Sequence, residues 1–393
     1  MSADVIADEK HWTSLTASAL AAVVVGFAST ILVIMQAADA VGANPAQKAS
    51  WAAMLCYTMG GLTLLLCLRH KMPVIIAWST PGAALLATGA GGMSYKVALG
   101  AFVVAGLLTT ATGLIRPVAR AIEHMPPAIA SAMLAGVLLS YVLKVPQAGL
   151  ALPWLVLPLV LLFFGLRLWK PLFAVPLVVA AGLILAALSG AMEQSAIEFS
   201  FTRLTFDLPQ FQWQAVISLG VPLYLVTMAS QNIPGFAVLR ASGYQPPVAS
   251  ALVTTGLASV LMAPMAGPQV NMAAITASLC TGADAHPDPA QRWKVCFPYV
   301  LIYTMVGLAA SMFVELLGAM PHELVLAMAG LALFGPLTAA MGGMVRDTQH
   351  MDSAMVTFLV TASGLTLLGI GAAFWGLLAG VTLWGLKHLR SGT

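Results

Sequence analysis

Charge is what this sequence has least of. Of 393 residues only 31 are charged, 17 basic and 14 acidic, or 8%, where a soluble domain carries about 25%. So little charge cannot cover the surface of a water-soluble fold, which excludes a soluble enzyme, a secreted scaffold and a nucleic-acid binder. Cysteine is also rare. Cys56, Cys67, Cys280 and Cys296 lie in or beside apolar runs without zinc-type spacing, and read as small buried thiols rather than disulfides or metal ligands. HExxH and paired mid-membrane carboxylates are missing, so neither a membrane-embedded enzyme nor a metal or other cofactor is expected. Residues 1–13 carry mixed charge (Asp4, Asp8, Glu9, Lys10), and the apolar run behind them is too long for the core of a cleavable leader.

What is present is apolar: 60% of the residues, with a mean hydropathy of +0.93. That composition defines an integral membrane protein. A membrane-crossing helix needs roughly 20 residues, which leaves room for about fourteen crossings and no sizeable soluble domain.

Apolar runs between charged or Pro/Gly-rich breaks predict an all-α membrane protein. Seven spans lie near 15–37, 50–68, 73–90, 96–115, 126–143, 152–168 and 171–190, and seven more near 214–233, 246–264, 267–281, 295–317, 321–343, 352–370 and 372–388. The third and tenth are short, interrupted by Ser79-Thr80-Pro81-Gly82 and by Gly267-Pro268. If all fourteen cross and the N-terminus is cytoplasmic, 13 Lys and Arg fall inside and 4 outside (Lys48, Lys96, Lys144, Arg203); without the two interrupted spans the split is 11 to 6. Lys and Arg favour cytoplasmic loops, so the fourteen-span arrangement with both termini inside is expected, in a bacterial inner membrane. The same loops account for the net charge of +3.

Two copies of one pattern run through the chain. Met125-Pro126, five residues, then Ala132-Met133 recurs as Met320-Pro321, five residues, then Ala327-Met328, an offset of 195 (320 − 125) shared by Gln36 and Gln231. The interrupted spans match at 187 (268 − 81), which a connection shorter by eight residues would explain. Halves at 15–190 and 214–388 then hold seven spans each. Because seven is odd, the second half must enter the bilayer from the opposite face, as an inverted repeat.

Inverted halves with helices broken at matching positions point to a secondary transporter whose substrate sits near the midplane. Backbone that leaves the helix inside lipid survives only where protein buries it or where it lines a cavity. In the third span, Pro73 to Trp78 read as extended chain, Ser79 or Thr80 as an N-cap, and Pro81 as first-turn residue, with Gly82 behind it. In the tenth, Gly267 takes the cap and Pro268 the place of Pro81, followed by Gln269 and Asn271. Two half-helices then start near mid-membrane, and their positively polarised ends favour an anion such as a carboxylate.

Further candidates lie in spans one and eight. Ser230-Gln231-Asn232 precedes Pro234-Gly235 in an otherwise apolar run, and amides in hydrocarbon must bond across a helix or face a ligand. Phe27, Ser29 and Thr30 fall mid-span, the ring as packing or platform, the hydroxyls bonding back to their own helix or facing the site. No Asp, Glu, Lys or Arg falls at a span centre, which argues against an ion pump or voltage sensor. Asp39 and Glu315 come closest, as interfacial carboxylates or as proton carriers. His124, His322 and His350 lie near span ends.

Three stretches carry a family resemblance: Trp78-Ser79-Thr80-Pro81-Gly82-Ala83-Ala84; Ser230-Gln231-Asn232-Ile233-Pro234-Gly235; and Asn271-Met272-Ala273-Ala274-Ile275-Thr276-Ala277 running on to His286-Pro287-Asp288-Pro289 and Arg292-Trp293. Over essentially its whole length the sequence resembles the benzoate:proton symporter (BenE) family, within the seven-plus-seven inverted-repeat group that includes nucleobase and sulfate carriers. The resemblance implies a core domain from spans 1–4 (15–115) and 8–11 (214–317) and a gate domain from spans 5–7 (126–190) and 12–14 (321–388). It also implies proton-coupled uptake of an aromatic carboxylate by movement of core against gate. The expected partners are therefore that small molecule, a proton and membrane lipid, with a homodimer left open as the assembly. The family commonly has Gly-His before the span-ten asparagine where this chain has Pro268-Gln269, so no role passes from that histidine. Nucleobase carriers have a carboxylate where this chain has Ser230, which counts against a nucleobase. Another organic anion, a nucleobase-like solute or a channel remain the alternatives.

Overall fold

An apolar chain in lipid has no water to complete its backbone hydrogen bonds and closes them within helices. The computed structural model describes residues 3–89, 92–115, 126–192, 201–265 and 267–391. His124 and Met125, the first residue of the repeated Met-Pro motif, lie outside these ranges. The first half comprises α1 (Ala3–Ala28), α2 (Ile31–Ala40), α3 (Pro45–His70), β1 (Ile76–Trp78), α4 (Thr80–Gly89), α5 (Tyr95–Leu114), α6 (Pro127–Val142), α7 (Lys144–Ala151), α8 (Pro153–Trp169) and α9 (Ala174–Leu188). The second comprises α10 (Trp213–Ala241), α11 (Val248–Met262), β2 (Val270–Met272), α12 (Ile275–Thr281), α13 (Cys296–Leu308), α14 (Ala310–Gly318), α15 (His322–Arg346), α16 (Met351–Ala362) and α17 (Ala372–Ser391).

Local chemistry sets several boundaries. Asn44 caps α3 by accepting the Gln47 N–H while the Gln47 side chain accepts the Asn44 N–H, and Pro45 sits at the first position, where its missing N–H costs nothing. The same helix ends where Lys71 turns left-handed, at φ 52°. Among the described residues seven helices are long and apolar enough to cross a bilayer, counting α1 with α2 as His11–Ala40 and α6 with α7 as Pro127–Ala151. An eighth candidate, Pro289–Leu308 with Ala310–Gly318, bends by 53°, and α8 and α11 are shorter apolar helices.

Four expectations change. The first span is not continuous: α1 stops at Ala28 and α2 starts at Ile31, with the polar pair Ser29-Thr30 at the break. The eighth widens into π-turns at Val216–Gly220 and Met228–Asn232, directly before Val221-Pro222 and Ile233-Pro234. A wider turn relieves the clash of a proline ring with the preceding carbonyls, and such bulges cluster at functional sites. The thirteenth is shorter than 352–370, because its helix ends at Ala362 and the chain then turns through left-handed Gly364, Leu368 and Gly369.

The fourth change concerns the tenth span. Gly267 and Pro268 do not begin its half-helix. They precede β2, whose backbone is taken up in antiparallel pairing with β1, Ile76 opposite Met272 and Trp78 opposite Val270, so no helix starts before Ile275. The two half-helices thus begin at Thr80 and Ile275, an offset of 195 (275 − 80). That equals the Met-Pro offset, and no eight-residue shortening is needed.

Because the strands are antiparallel, α4 and α12 leave opposite ends of the ribbon. α4 lies against α2 and α6, and α12 against α1 and the end of α10. Elsewhere α5 packs along α11 and α3 along α13, while α6 packs against both α15 and α16.

Candidate functional site

A two-stranded ribbon deep in the fold has outer edges that would be unpaired in lipid, and side chains from the surrounding helices fill them. Thr63 on α3 accepts the Ile76 N–H at 3.0 Å, and the Tyr299 hydroxyl on α13 donates to the Ile76 carbonyl at 2.8 Å. On the other strand, Ser259 on α11 accepts the Val270 N–H at 3.2 Å and Asn232 on α10 accepts the Met272 N–H at 3.0 Å. With its amide oriented to satisfy both neighbours, Asn271 accepts the Ser79 N–H and donates to the Met272 carbonyl, each at 2.9 Å. Asn232 and Asn271 are thus fully buried struts of the ribbon.

Ser79 caps α4. Its Oγ accepts the Gly82 N–H at 3.1 Å and shares a 2.8 Å hydrogen bond with the Thr227 hydroxyl of α10. Gly82 is required by close approach: a Cβ there would stand 2.5 Å from Leu223 Cδ1 and 2.7 Å from Ser79 Oγ. α12 begins without any side-chain cap.

Beside the ribbon lies a cavity of about 1240 Å³, larger than the roughly 300–1,000 Å³ of a small-molecule pocket, as befits a site joined to a vestibule. Ser29 and Thr30 at the α1–α2 break, Thr80 and Pro81 at the start of α4, Ser230 and Gln231 at the π-turn, and Ala274 to Thr276 at the start of α12 all line it. Trp78 and Tyr303 supply aromatic wall. The Trp78 indole donates to Thr30 Oγ1 at 2.6 Å, and Thr30 donates to the Gly26 carbonyl at 2.6 Å. Ser230 bonds back to the Val226 carbonyl at 2.5 Å. Among the described residues the Gln231 amide makes no hydrogen bond to protein, so of the two neighbouring amides it is the one presented to the cavity.

The structure therefore gathers Ser29, Thr30, Thr80, Pro81, Ser230 and Gln231 at one surface and sets the other sequence candidates apart. Phe27 backs Trp78 with ring centroids 5.7 Å apart instead of lining the cavity. Gly267 lies against the Trp51 indole, where a Cβ would come within 2.9 Å. Gln269 donates to Thr109 at 3.3 Å and leaves its buried Oε1 unpaired. Gly267, Pro268 and Gln269 do not line the cavity; residues 274–276 stand where the sequence reading put them. Asp39 is held in an ion pair with Lys48, and Glu315 is exposed on α14, both away from the lining. Trp78, Thr276 and Tyr303 were missed as lining residues. Nothing in an isolated apolar span separates a wall aromatic from a packing one, although Trp78 and Thr276 fall within the resembling stretches.

Helices broken at a paired ribbon, beside a largely apolar cavity with polar groups at the breaks, are the architecture of a membrane transporter. The chain belongs to the benzoate membrane transport protein family, whose model matches residues 9–386. It is 38% identical over 359 residues to inner membrane protein YdcO of Escherichia coli K12, covering 91% of this chain and 92% of that one. It is 31% identical over 374 residues to the benzoate membrane transport protein of Acinetobacter baylyi, covering 95% of each. Among solved structures, the transmembrane domain of the cyanobacterial bicarbonate transporter BicA superposes with a TM-score of 0.62 at 14% identity, over 94% of this chain and 97% of that one; that likeness shows the fold.

Proposed function

We propose that this chain is a bacterial inner-membrane symporter that carries benzoate or a related aromatic carboxylate together with a proton. The observation that carries the reading is the cavity surface itself, which joins aromatic wall at Trp78 and Tyr303 with Gln231 and the starts of both half-helices in one lining. An aromatic ring packs on the indole with favourable offset or edge geometry. The carboxylate turns toward the hydroxyls of Thr80 and Thr276 and the polarised backbone beside them, with Gln231 orienting it. The A. baylyi relative is a benzoate membrane transport protein, which supports benzoate as substrate.

The chain is read as fourteen crossings in two inverted halves, with both termini in the cytoplasm. The half-helices belong to a core that moves against a gate built from α6–α9 and α15–α17, giving alternating access. The cavity is bounded by the ends of α5, α8 and α10 and the starts of α6 and α11, ends that the Lys and Arg distribution assigns to the cytoplasm. On that orientation the conformation is inward-open.

Uptake of radiolabelled benzoate into proteoliposomes, with and without an imposed inward proton gradient, tests both substrate and coupling. Saturable uptake accelerated by the gradient and competed by substituted benzoates is expected. Saturable uptake indifferent to the gradient removes the symport claim, and absence of uptake removes the substrate.

A further inference from the structure

The cavity wall holds two charged side chains among its described residues, and both are arginines. Arg167 stands in the last turn of α8 and Arg240 in the last turn of α10. Neither forms an ion pair with a carboxylate among the described residues. Their placement at helix C-termini, where backbone dipoles favour cations, accounts for the charge but not for its position on the cavity surface.

Arg167 is held beside two aromatic rings. Its guanidinium carbon lies 5.0 Å from the Phe334 ring centroid and 5.9 Å from that of Phe163. It crosses α15 at Gly335, where a Cβ would sit 3.5 Å from Nη1. A guanidinium held against aromatic rings still has N–H donors for a planar carboxylate. Arg240, exposed in the last turn of α10, adds a second positive charge to the same lining.

We infer that Arg167 and Arg240 form a second anion site in the vestibule, distinct from the midplane site, which takes aromatic carboxylates entering or leaving through this mouth. The inference rests on the reading of the cavity as a carboxylate path. Its physical basis is focusing: two cations that no described carboxylate pairs, set in low-dielectric walls, concentrate an anion locally, an effect worth about 10- to 1,000-fold in association rate and suppressed by salt.

The test labels arginines of the full chain in proteoliposomes with phenylglyoxal, with and without benzoate, and reads each site by mass spectrometry. Benzoate is expected to slow labelling of Arg167 and Arg240 severalfold while exposed Arg346, outside the cavity, labels at an unchanged rate. Equal labelling at all three overturns the vestibule site. In parallel, Arg167→Gln and Arg240→Gln are expected to slow benzoate exchange about tenfold at low ionic strength, with the deficit shrinking as salt rises and Arg167→Lys keeping part of the rate. Rates that fall equally at every salt concentration also overturn it. Protection without wild-type uptake supports the anion site while removing the transport reading. Uptake without protection removes the site and leaves that reading standing.

Discussion

The Trp78 indole N–H donates to the Thr30 hydroxyl at 2.6 Å, tying the end of β1 to the break between α1 and α2 at the cavity surface. Thr30 hands the bond on to the Gly26 carbonyl, one of the carbonyls a broken helix leaves without its usual partner. Phe27 supports the indole from behind and is itself backed by Phe313, with centroids 5.1 Å apart. A wall aromatic is thereby fixed in rotamer before any substrate arrives.

Trp78→Phe keeps a ring at the wall but removes its N–H, and Thr30→Val removes the acceptor. Each single change is expected to raise the half-saturating benzoate concentration severalfold. The double variant should cost less than the product of the two, since one buried hydrogen bond contributes about 0.5–1.5 kcal/mol. Strict multiplicativity in proteoliposome kinetics would show the pair is not coupled.

Neighbouring amides should separate function from stability. Asn232→Ala leaves the buried Met272 N–H without its acceptor, a loss of about 1–3 kcal/mol, so thermal unfolding in detergent should shift clearly downward. Gln231→Ala removes no hydrogen bond among the described residues. It should unfold like the parent while its benzoate uptake weakens, and the opposite pattern would reverse the two roles.

Gly235 lets α10 approach β2, since a Cβ there would stand 2.6 Å from Met272 Cβ and 2.7 Å from the Ala273 carbonyl oxygen. Gly235→Ala must push helix and ribbon apart, at about 1–3 kcal/mol for overpacking. Lower thermal stability together with lost uptake is expected, and an Ala variant matching the parent in both would contradict the close approach.

Asp39 is paired with Lys48 and Glu315 is exposed outside the cavity. Asp39→Asn and Glu315→Gln are therefore expected to retain proton-gradient-stimulated uptake. Loss of gradient stimulation with preserved exchange, in either variant, would identify that carboxylate as the proton carrier.

The membrane class, the order of the apolar elements and the broken third span were legible because hydropathy and proline act locally. Ser79 capping and Pro81 in the first turn of α4 follow from the same one-dimensional chemistry. The tenth span was misread for a definite reason. Pro268 imitates Pro81 in sequence, but the chain there is taken by pairing with residues nearly two hundred positions earlier, and only that pairing delays the helix to Ile275.

Composition alone determined that this chain lives in lipid and that its few polar backbone interruptions must meet inside protein, because unpaired peptide groups are costly in hydrocarbon. Only the tertiary structure decided that Gln231 faces the cavity while Asn232 and Asn271 brace the ribbon, and that Arg167 and Arg240 line the same cavity. Which way a side chain points depends on the segment packed against it, and those segments come from the other half of the chain.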